Sequence, residues 1–263
     1  MRRHGHWFYS VDVRKPPRLN AILERVNDTR SVDVGDLAGT LGVSEATIRR
    51  DLQSLSRSGL LVRTHGGAIA NDLDGELPTQ IKAVRRQSEK GRIGLAAASL
   101  IPDGAVIGMT GGTTTLELAR ALADRRHLAI VTNAVNIGAE LIGRTGVHLV
   151  VIGGVARPSA ELVGPAAEAM LANYHLDMAF IGVDGLTAEH GCTTFDEMEA
   201  QTDRAFLQRA ARAVVLADHS KLGVVRFAQI TALSSIDQVV TDRDADPAQL
   251  QSFRAAGVET LTV

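Results

Sequence analysis

Residues 109–122 read MTGGTTTLELARAL. Gly111 and Gly112 carry no side chain, so a ligand can come close to the backbone there, and Thr113, Thr114 and Thr115 add hydroxyl donors. Where such a run ends a strand and opens a helix, the free N–H groups and the dipole of the first turn favour an anion, a phosphate above all. No Lys follows as in a Walker loop, and the G-x-G-x-x-G pattern is missing. Polar residues close other apolar runs in the same way. Thr132 and Asn133 follow AIV, Gly153 and Gly154 follow LVVI, Asp184 follows FIGV, and Asp218 and Lys221 follow VVLA. Glu199 begins the helical stretch after GCTTFDEM. Each alone suits a turn or cap, but their recurrence predicts one crevice, in which Asp184, Glu199 and Lys221 could also do acid–base work. No cofactor and no metal ion is expected.

A second constellation lies in SEATIRRDLQSL, residues 44–55. At helical spacing Ile48, Leu52 and Leu55 form one apolar stripe. The opposite arc holds Ala46, Thr47, Arg50, Gln53, Ser54 and Arg57, with Arg49 beside it; Glu45 and Asp51 are expected near the buried stripe. Ser44 can cap the first turn. A face of Arg, Gln, Ser and Thr around a small Ala suits the major groove of DNA, where Arg reads guanine or clamps phosphate and Gln reads adenine. Two short apolar runs in GLLVRTHGGAIA flank His65-Gly66-Gly67 and predict a hairpin, with Arg63 and His65 placed to reach the DNA backbone or minor groove.

These residues need elements to hold them. RLNAILERV places Leu19, Ile22, Leu23 and Val26 at helical spacing. SVDVGDLAGTLG offers Asp33 as a cap for a helix ending at Gly42, so the polar helix follows a helix and a tight turn. Residues 71–88 are polar, contain Gly75 and Pro78, and read as a linker. From residue 89 short strands (105–109, 128–132, 148–154, 178–185, 213–218 and 238–242) alternate with helices (near 89–100, 114–124, 134–143, 164–173, 196–211 and 247–256). This alternation predicts an α/β fold with a mostly parallel sheet covered on both faces, whose ligands bind at the carboxyl ends of the strands.

Composition bounds the alternatives. The 263 residues are 45% hydrophobic and carry a net charge of −2, ordinary globular values. Residues 1–70 hold 11 Lys/Arg against 7 Asp/Glu (+4), and the remainder 17 against 23 (−6). A basic head on an acidic body fits an anion-binding module joined to a second domain. The single cysteine, Cys192, excludes an intramolecular disulfide and suits the cytoplasm, and it reads as packing rather than as a nucleophile. No apolar run approaches the roughly 20 residues of a membrane helix, and MRRHGHWFYSVDVRK lacks the apolar segment of a secretory leader. Residues 1–17 read as an arm without an assigned role.

Residues 36–68, DLAGTLGVSEATIRRDLQSLSRSGLLVRTHGGA, strongly resemble the winged helix-turn-helix of the DeoR family of bacterial repressors, and the likeness extends over 18–263. VSEATIRRDL followed by RTHGGA is its specific motif. The resemblance implies a winged helix-turn-helix domain at 18–70, the linker at 71–88, and at 89–263 a Rossmann-like, ribose-5-phosphate-isomerase-like parallel-sheet domain that senses an effector. By that likeness Gly112, Thr113 and Thr114 match a phosphate loop, and Asp184, Glu199 and Lys221 match polar positions around the sugar. Residues 173–200 are similar to repressors of amino-sugar pathways. The chain departs from the family where Gly111 replaces a common Ser, Asp196 an Asn, Asp203 a Lys and Lys82 an Arg. The implied function is a repressor of sugar-catabolism or sugar-transport genes that leaves double-stranded operator DNA when a phosphorylated sugar binds, with an amino-sugar phosphate among the candidates. A homodimer or homotetramer is expected, because one winged helix covers little DNA. The rival readings are an isomerase-like enzyme with an appended head, or a head that recruits a protein. The isomerases need a carboxylate pair near their Asp-Gly turn, and VDGLTAEHG offers only Asp184 and the distant Glu189.

Overall fold

The computed structural model describes residues 15–57, 60–70 and 79–263. The chain divides into two units, one up to Leu77 and one from Pro78.

The first unit runs α1 (Lys15–Thr29), β1 (Ser31–Asp33), α2 (Val34–Leu41), α3 (Glu45–Arg57), β2 (Leu61–Arg63) and β3 (Gly67–Ala70). Asp33 caps α2, its carboxylate accepting from the Gly35 N–H at 2.6 Å, and Gly42 ends the helix in the left-handed conformation (φ 63°). Ile22, Leu23 and Val26 of α1 pack with Leu37 of α2, Ile48, Leu52 and Leu55 of α3, and Leu61 of β2. β3 pairs antiparallel with both β1 and β2. A Cβ on Gly67 would strike the Val32 carbonyl, so a glycine is needed where β3 meets β1. The expected arm at 1–17 is corrected at its end, since Lys15 to Pro17 open α1; proline is tolerated in a helix's first turn because the N–H it lacks has no helical partner there. Residues 1–14 lie outside the described residues.

The second unit begins with α4 (Thr79–Val84) and α5 (Gln87–Ser99). α4 falls wholly inside the stretch expected as linker and α5 begins there, and residues 71–78 of that stretch lie outside the described residues. Its polarity is misleading because its cations have partners within the unit. Lys82 Nζ reaches Asp184, and the buried Lys90 donates to the carbonyls of Lys82 and Arg85. There follow β4 (Val106–Met109), α6 (Thr113–Ala121), β5 (Leu128–Thr132), α7 (Val135–Leu141), β6 (Val147–Val151), β7 (Val155–Ala156), β8 (Leu162–Val163), α8 (Pro165–Leu171) and β9 (Leu176–Gly182). Then come β10 (Gly185–Thr187), β11 (Gly191–Thr194), α9 (Glu197–Arg209), β12 (Ala210–Leu216), β13 (Ala228–Thr231), β14 (Gln238–Thr241), α10 (Pro247–Ala255) and β15 (Glu259–Thr262).

Seven strands form one sheet in the order β15-β14-β12-β9-β4-β5-β6, with every neighbouring pair parallel. Alternate residues enter cores on opposite faces. Ile107, Met109, Phe180, Val214 and Leu216 pack with Ile93 of α5 and Leu118 of α6. Ala179 packs with Leu171 of α8 and Phe206 of α9, and Val215 with Phe253 of α10. β10, β11 and β13 make a small antiparallel sheet that the sequence reading did not foresee. The strand expected over 178–185 stops at Gly182, and Asp184 stands just before β10.

Candidate functional site

The first candidate is the outer side of α3. Ala46, Arg49, Arg50, Gln53 and Arg57 are exposed, Thr47 and Ser54 are half-buried, and Ile48, Leu52 and Leu55 are buried. Ser44 is exposed, and its hydroxyl accepts from the Thr47 N–H at 3.3 Å. Arg63 and His65 are exposed on and just after β2. Asp51 is buried and pairs with Arg18 of α1 at 2.6 Å, which ties α3 to the rest of the unit. Glu45 departs from expectation: it is exposed and pairs with Arg49 one turn on, at 3.1 Å. A first-turn acid is free to swing outward, where an i,i+4 pair and the helix dipole favour it.

The second candidate lies where the sheet order reverses. β5 and β6 extend the sheet to one side of β4, and the chain then returns to place β9 on the other. The carboxyl ends of β4 and β9 therefore open on a switch-point crevice. The two strand ends are tied together there, since the Gly182 N–H donates to the Thr110 hydroxyl at 3.2 Å. Gly112, at φ 131°, turns the chain from β4 into α6. The first N–H groups of α6 have no carbonyl partner within the helix. Thr115 spends its hydroxyl on the Gly112 carbonyl at 3.0 Å. The hydroxyls of Thr113 and Thr114 make no hydrogen bond among the described residues.

Charged groups from five segments converge beside this loop. Lys82 of α4 and Lys221 both reach Asp184 Oδ1 at 3.1 Å. Burial alone would raise the Asp184 carboxyl, but the two ammonium groups outweigh it and hold the pKa below the usual range. The Thr194 hydroxyl lies 3.3 Å from Asp184 and 3.4 Å from Glu199. Glu199 also accepts from Ser159 at 2.6 Å and faces Arg157 at 3.5 Å. Asp196 caps α9 and pairs with Arg157 at 2.7 Å. Glu161 accepts from Asn133 at 3.1 Å, and its side chain covers Gly111 so closely that a Cβ there would collide with it. Burial, helped by the Glu199 carboxylate, pushes Glu161 up to about 8. Burial, with Glu161, Glu199 and Asp184 adding to it, holds Asp203 well above the carboxylate range.

The remaining expected residues divide. Thr132 is buried and accepts from the Ala134 N–H at 3.1 Å, so its hydroxyl shapes the turn into α7. Gly153 and Gly154 lie exposed between β6 and β7. Gly154, at φ 148°, lets the Val163 backbone approach within what would be 2.8 Å of a Cβ, so its need is for packing against β8. Asp218 caps the short turn that carries Lys221. Cys192 is buried, and burial pushes its thiol up to about 12, as suits packing rather than nucleophilic chemistry. The sequence reading missed Arg157, Ser159, Glu161 and Thr194. RPSAELVG did hold a signal, an acid and a base inside a run that otherwise packs.

No helix among the described residues is long and apolar enough to cross a membrane. The DeoR-like helix-turn-helix domain matches residues 18–73, and the DeoR C terminal sensor domain matches residues 85–243. The chain is 35% identical over 250 residues to a putative aga operon transcriptional repressor of Escherichia coli O157:H7, covering 94% of this chain and 93% of that protein. It is 34% identical over 246 residues to the transcriptional repressor GlcR of Bacillus subtilis, with 93% and 95% covered. The glycerol-3-phosphate regulon repressor of Escherichia coli K12 is 30% identical over 231 residues, with 88% and 92% covered. Ribose 5-phosphate isomerase A of Methanocaldococcus jannaschii overlaps 52% of this chain and 54% of its own, at 22% identity and a TM-score of 0.39. The α/β architecture rests on the sheet order itself. Two family domains in register with the two units, and relatives that share nearly the whole length, establish that the chain belongs to the DeoR family of transcriptional repressors and is a regulator rather than an enzyme.

Proposed function

We propose that this repressor holds operator DNA through α3 and the β2–β3 wing, and releases it when a phosphorylated sugar enters the crevice between β4 and β9. The observation that carries the reading is the Gly111–Thr115 loop: a helix N-terminus at a switch point, with the Thr113 and Thr114 hydroxyls unengaged among the described residues. Phosphate would sit on those donors. Asp184, Glu199 and Lys221 would meet the sugar hydroxyls, with Thr132, Asn133, Gly153 and Gly154 shaping the neighbouring turns. On the DNA side, Arg50 and Gln53 would read base edges; Ser44, Ala46, Thr47, Arg49, Ser54, Arg57, Arg63 and His65 would set approach and backbone contact. Residues 18–70 serve as the reader and 89–263 as the sensor. α4 lies between them in sequence and supplies Lys82 to Asp184, so a ligand that rearranges this pair would act on the segment leading to the reader. The ligand must bind the released state more tightly, or it could shift nothing. A homodimer or homotetramer on repeated half-sites would supply the contact area one reader lacks.

Fluorescence anisotropy on DNA from upstream of its own and adjacent genes tests this. Binding should be specific and fall steeply with salt, and one member of a panel of hexose, pentose and amino-sugar phosphates should reverse it. Specific binding that no sugar phosphate alters would remove the release mechanism.

A further inference from the structure

The two edges of the seven-stranded sheet are built differently. β15 ends it with Glu259, Thr260 and Thr262; Glu259 pairs with Arg212 at 3.2 Å, and the Thr260 hydroxyl accepts from Arg254 at 2.6 Å. Charged side chains of this kind blunt an edge against other strands. β6, at the opposite end, reads Val-His-Leu-Val-Val, with no acid, lysine or arginine, and pairs with β5 alone among the described residues. None of its five residues is buried, whereas four of the five in β5 are. Its outward groups follow from the ladder. The Gly146 carbonyl accepts from the Leu128 N–H at 3.3 Å and the Ile152 N–H donates to the Thr132 carbonyl at 2.9 Å, so both face β5. Alternate residues of a strand face the same neighbour, so His148 and Val150 serve β5 as well. The carbonyls of Val147, Leu149 and Val151 and the N–H groups of Leu149 and Val151 therefore point away from the sheet, while the Val147 N–H donates to the Arg144 carbonyl at 3.2 Å.

α7 lies over this edge. Its Gly138 sits so near Val151 that a Cβ would fall 2.8 Å from a Val151 methyl. Glu140 turns to Arg120 of α6 at 3.4 Å, and Ile137 and Leu141 enter the core against which Val147 and Leu149 pack. At 100° per residue Val135, Ala139 and Ile142 share a third side. All three are exposed, Ile142 by 75%.

We propose that β6 and the Val135–Ala139–Ile142 side of α7 form the contact with a second copy of this chain, β6 pairing antiparallel with β6 of that copy about a two-fold axis at Leu149. This rests on the homo-oligomer reading above and gives it a surface. The outward groups are symmetric about Leu149, so the edge complements itself. The Leu149 N–H and carbonyl exchange with those of the second Leu149, and each Val151 N–H donates to the other copy's Val147 carbonyl. The axis stands perpendicular to the sheet, so the two copies of α7 lie antiparallel on one face of a continuous sheet and their apolar stripes meet across the seam. A short strand pair is marginal alone, and the stripes supply the apolar area it lacks. Neither β6 nor the stripe carries an acid, lysine or arginine, so a second copy sets no like charges opposite one another.

Cysteine cross-linking and sedimentation of the full-length protein test this. Leu149→Cys should give a disulfide-linked dimer on mild oxidation, because its Cα would stand about 5.5 Å from its counterpart in this register. Val147→Cys should not, since it faces Val151 of the other copy. The native Cys192 is buried and adds no background. Val151→Lys and Ile142→Glu both alter exposed side chains, and each should lower the sedimentation mass about twofold at a concentration where the parent is assembled, with an unchanged circular dichroism spectrum. An assembly that neither substitution weakens, or cross-linking as strong at Val147→Cys as at Leu149→Cys, overturns the surface and leaves the homo-oligomer reading standing. A parent chain that sediments as a monomer at its highest soluble concentration, with and without operator DNA, overturns both.

Discussion

The outer side of α3 and the crevice between β4 and β9 are both rich in charge, and they treat it in opposite ways. On α3, Arg50, Gln53 and Arg57 stand exposed on a helix whose other face is locked by Ile48, Leu52 and Leu55. In the crevice, Asp184, Glu161, Glu199 and Asp203 are buried and act on one another. Exposed charge costs little to hold and is screened by salt, so it suits a partner that supplies its own dense charge. Buried charge must be answered inside the fold, so each change of partner alters stability as well as affinity. Mutations on α3 should therefore separate binding from folding, and mutations in the crevice should not.

The largest effect is expected at Glu161. Its carboxyl titrates near 8 in the folded chain against an ordinary 4.5, so between those pH values the folded state holds a proton that the unfolded chain has released. Stability should then fall as pH rises across that window, by up to about 1.4 kcal/mol per pH unit. Urea unfolding of Glu161→Gln should show this fall flattened; parallel pH profiles for the two proteins would mean that Glu161 is ionised in the folded chain. Next comes Asp184→Ala, which leaves Lys82 and Lys221 facing each other and should cost about 3 kcal/mol in the same assay. A loss below about 1 kcal/mol would place the pair in effectively solvated surroundings.

Smaller effects belong to the reader. Arg50→Ala and Gln53→Ala should each weaken operator binding by about 1–3 kcal/mol and relax specificity, while stability stays within about 0.5 kcal/mol of the parent. Unchanged affinity for either would remove that residue from base reading. Smallest is Thr114→Val, which removes one hydroxyl donor and should weaken sugar-phosphate binding by about 1 kcal/mol without altering operator affinity. Normal induction in that variant would take Thr114 out of the phosphate loop.

The contrast also explains what could be read from the sequence. The exposed side of α3 follows from helical spacing alone, because Ile48, Leu52 and Leu55 fix which way the helix turns; only Glu45, in a first turn that spacing does not constrain, lay elsewhere. The strand 128–132 was placed to the residue, since an apolar run between turn signals has one local solution. The GlyGlyThrThrThr loop was legible for the same reason. The partners in the crevice were not. Lys82 sits in a polar stretch that reads as linker until its bond to Asp184 is seen, and Glu161 lies between short strands whose pairing depends on contacts distant in sequence. β15 and the small antiparallel sheet were missed because their short runs acquire meaning only from strands they meet in space.

The central claim is that the two sites share one equilibrium, and reciprocity tests it most directly. Sugar-phosphate affinity should be measured by calorimetry on the full-length protein alone and saturated with operator DNA. The account predicts that operator weakens the sugar by the same factor by which the sugar weakens the operator. Equal sugar affinity in the two states, in a protein that binds both ligands, would contradict it.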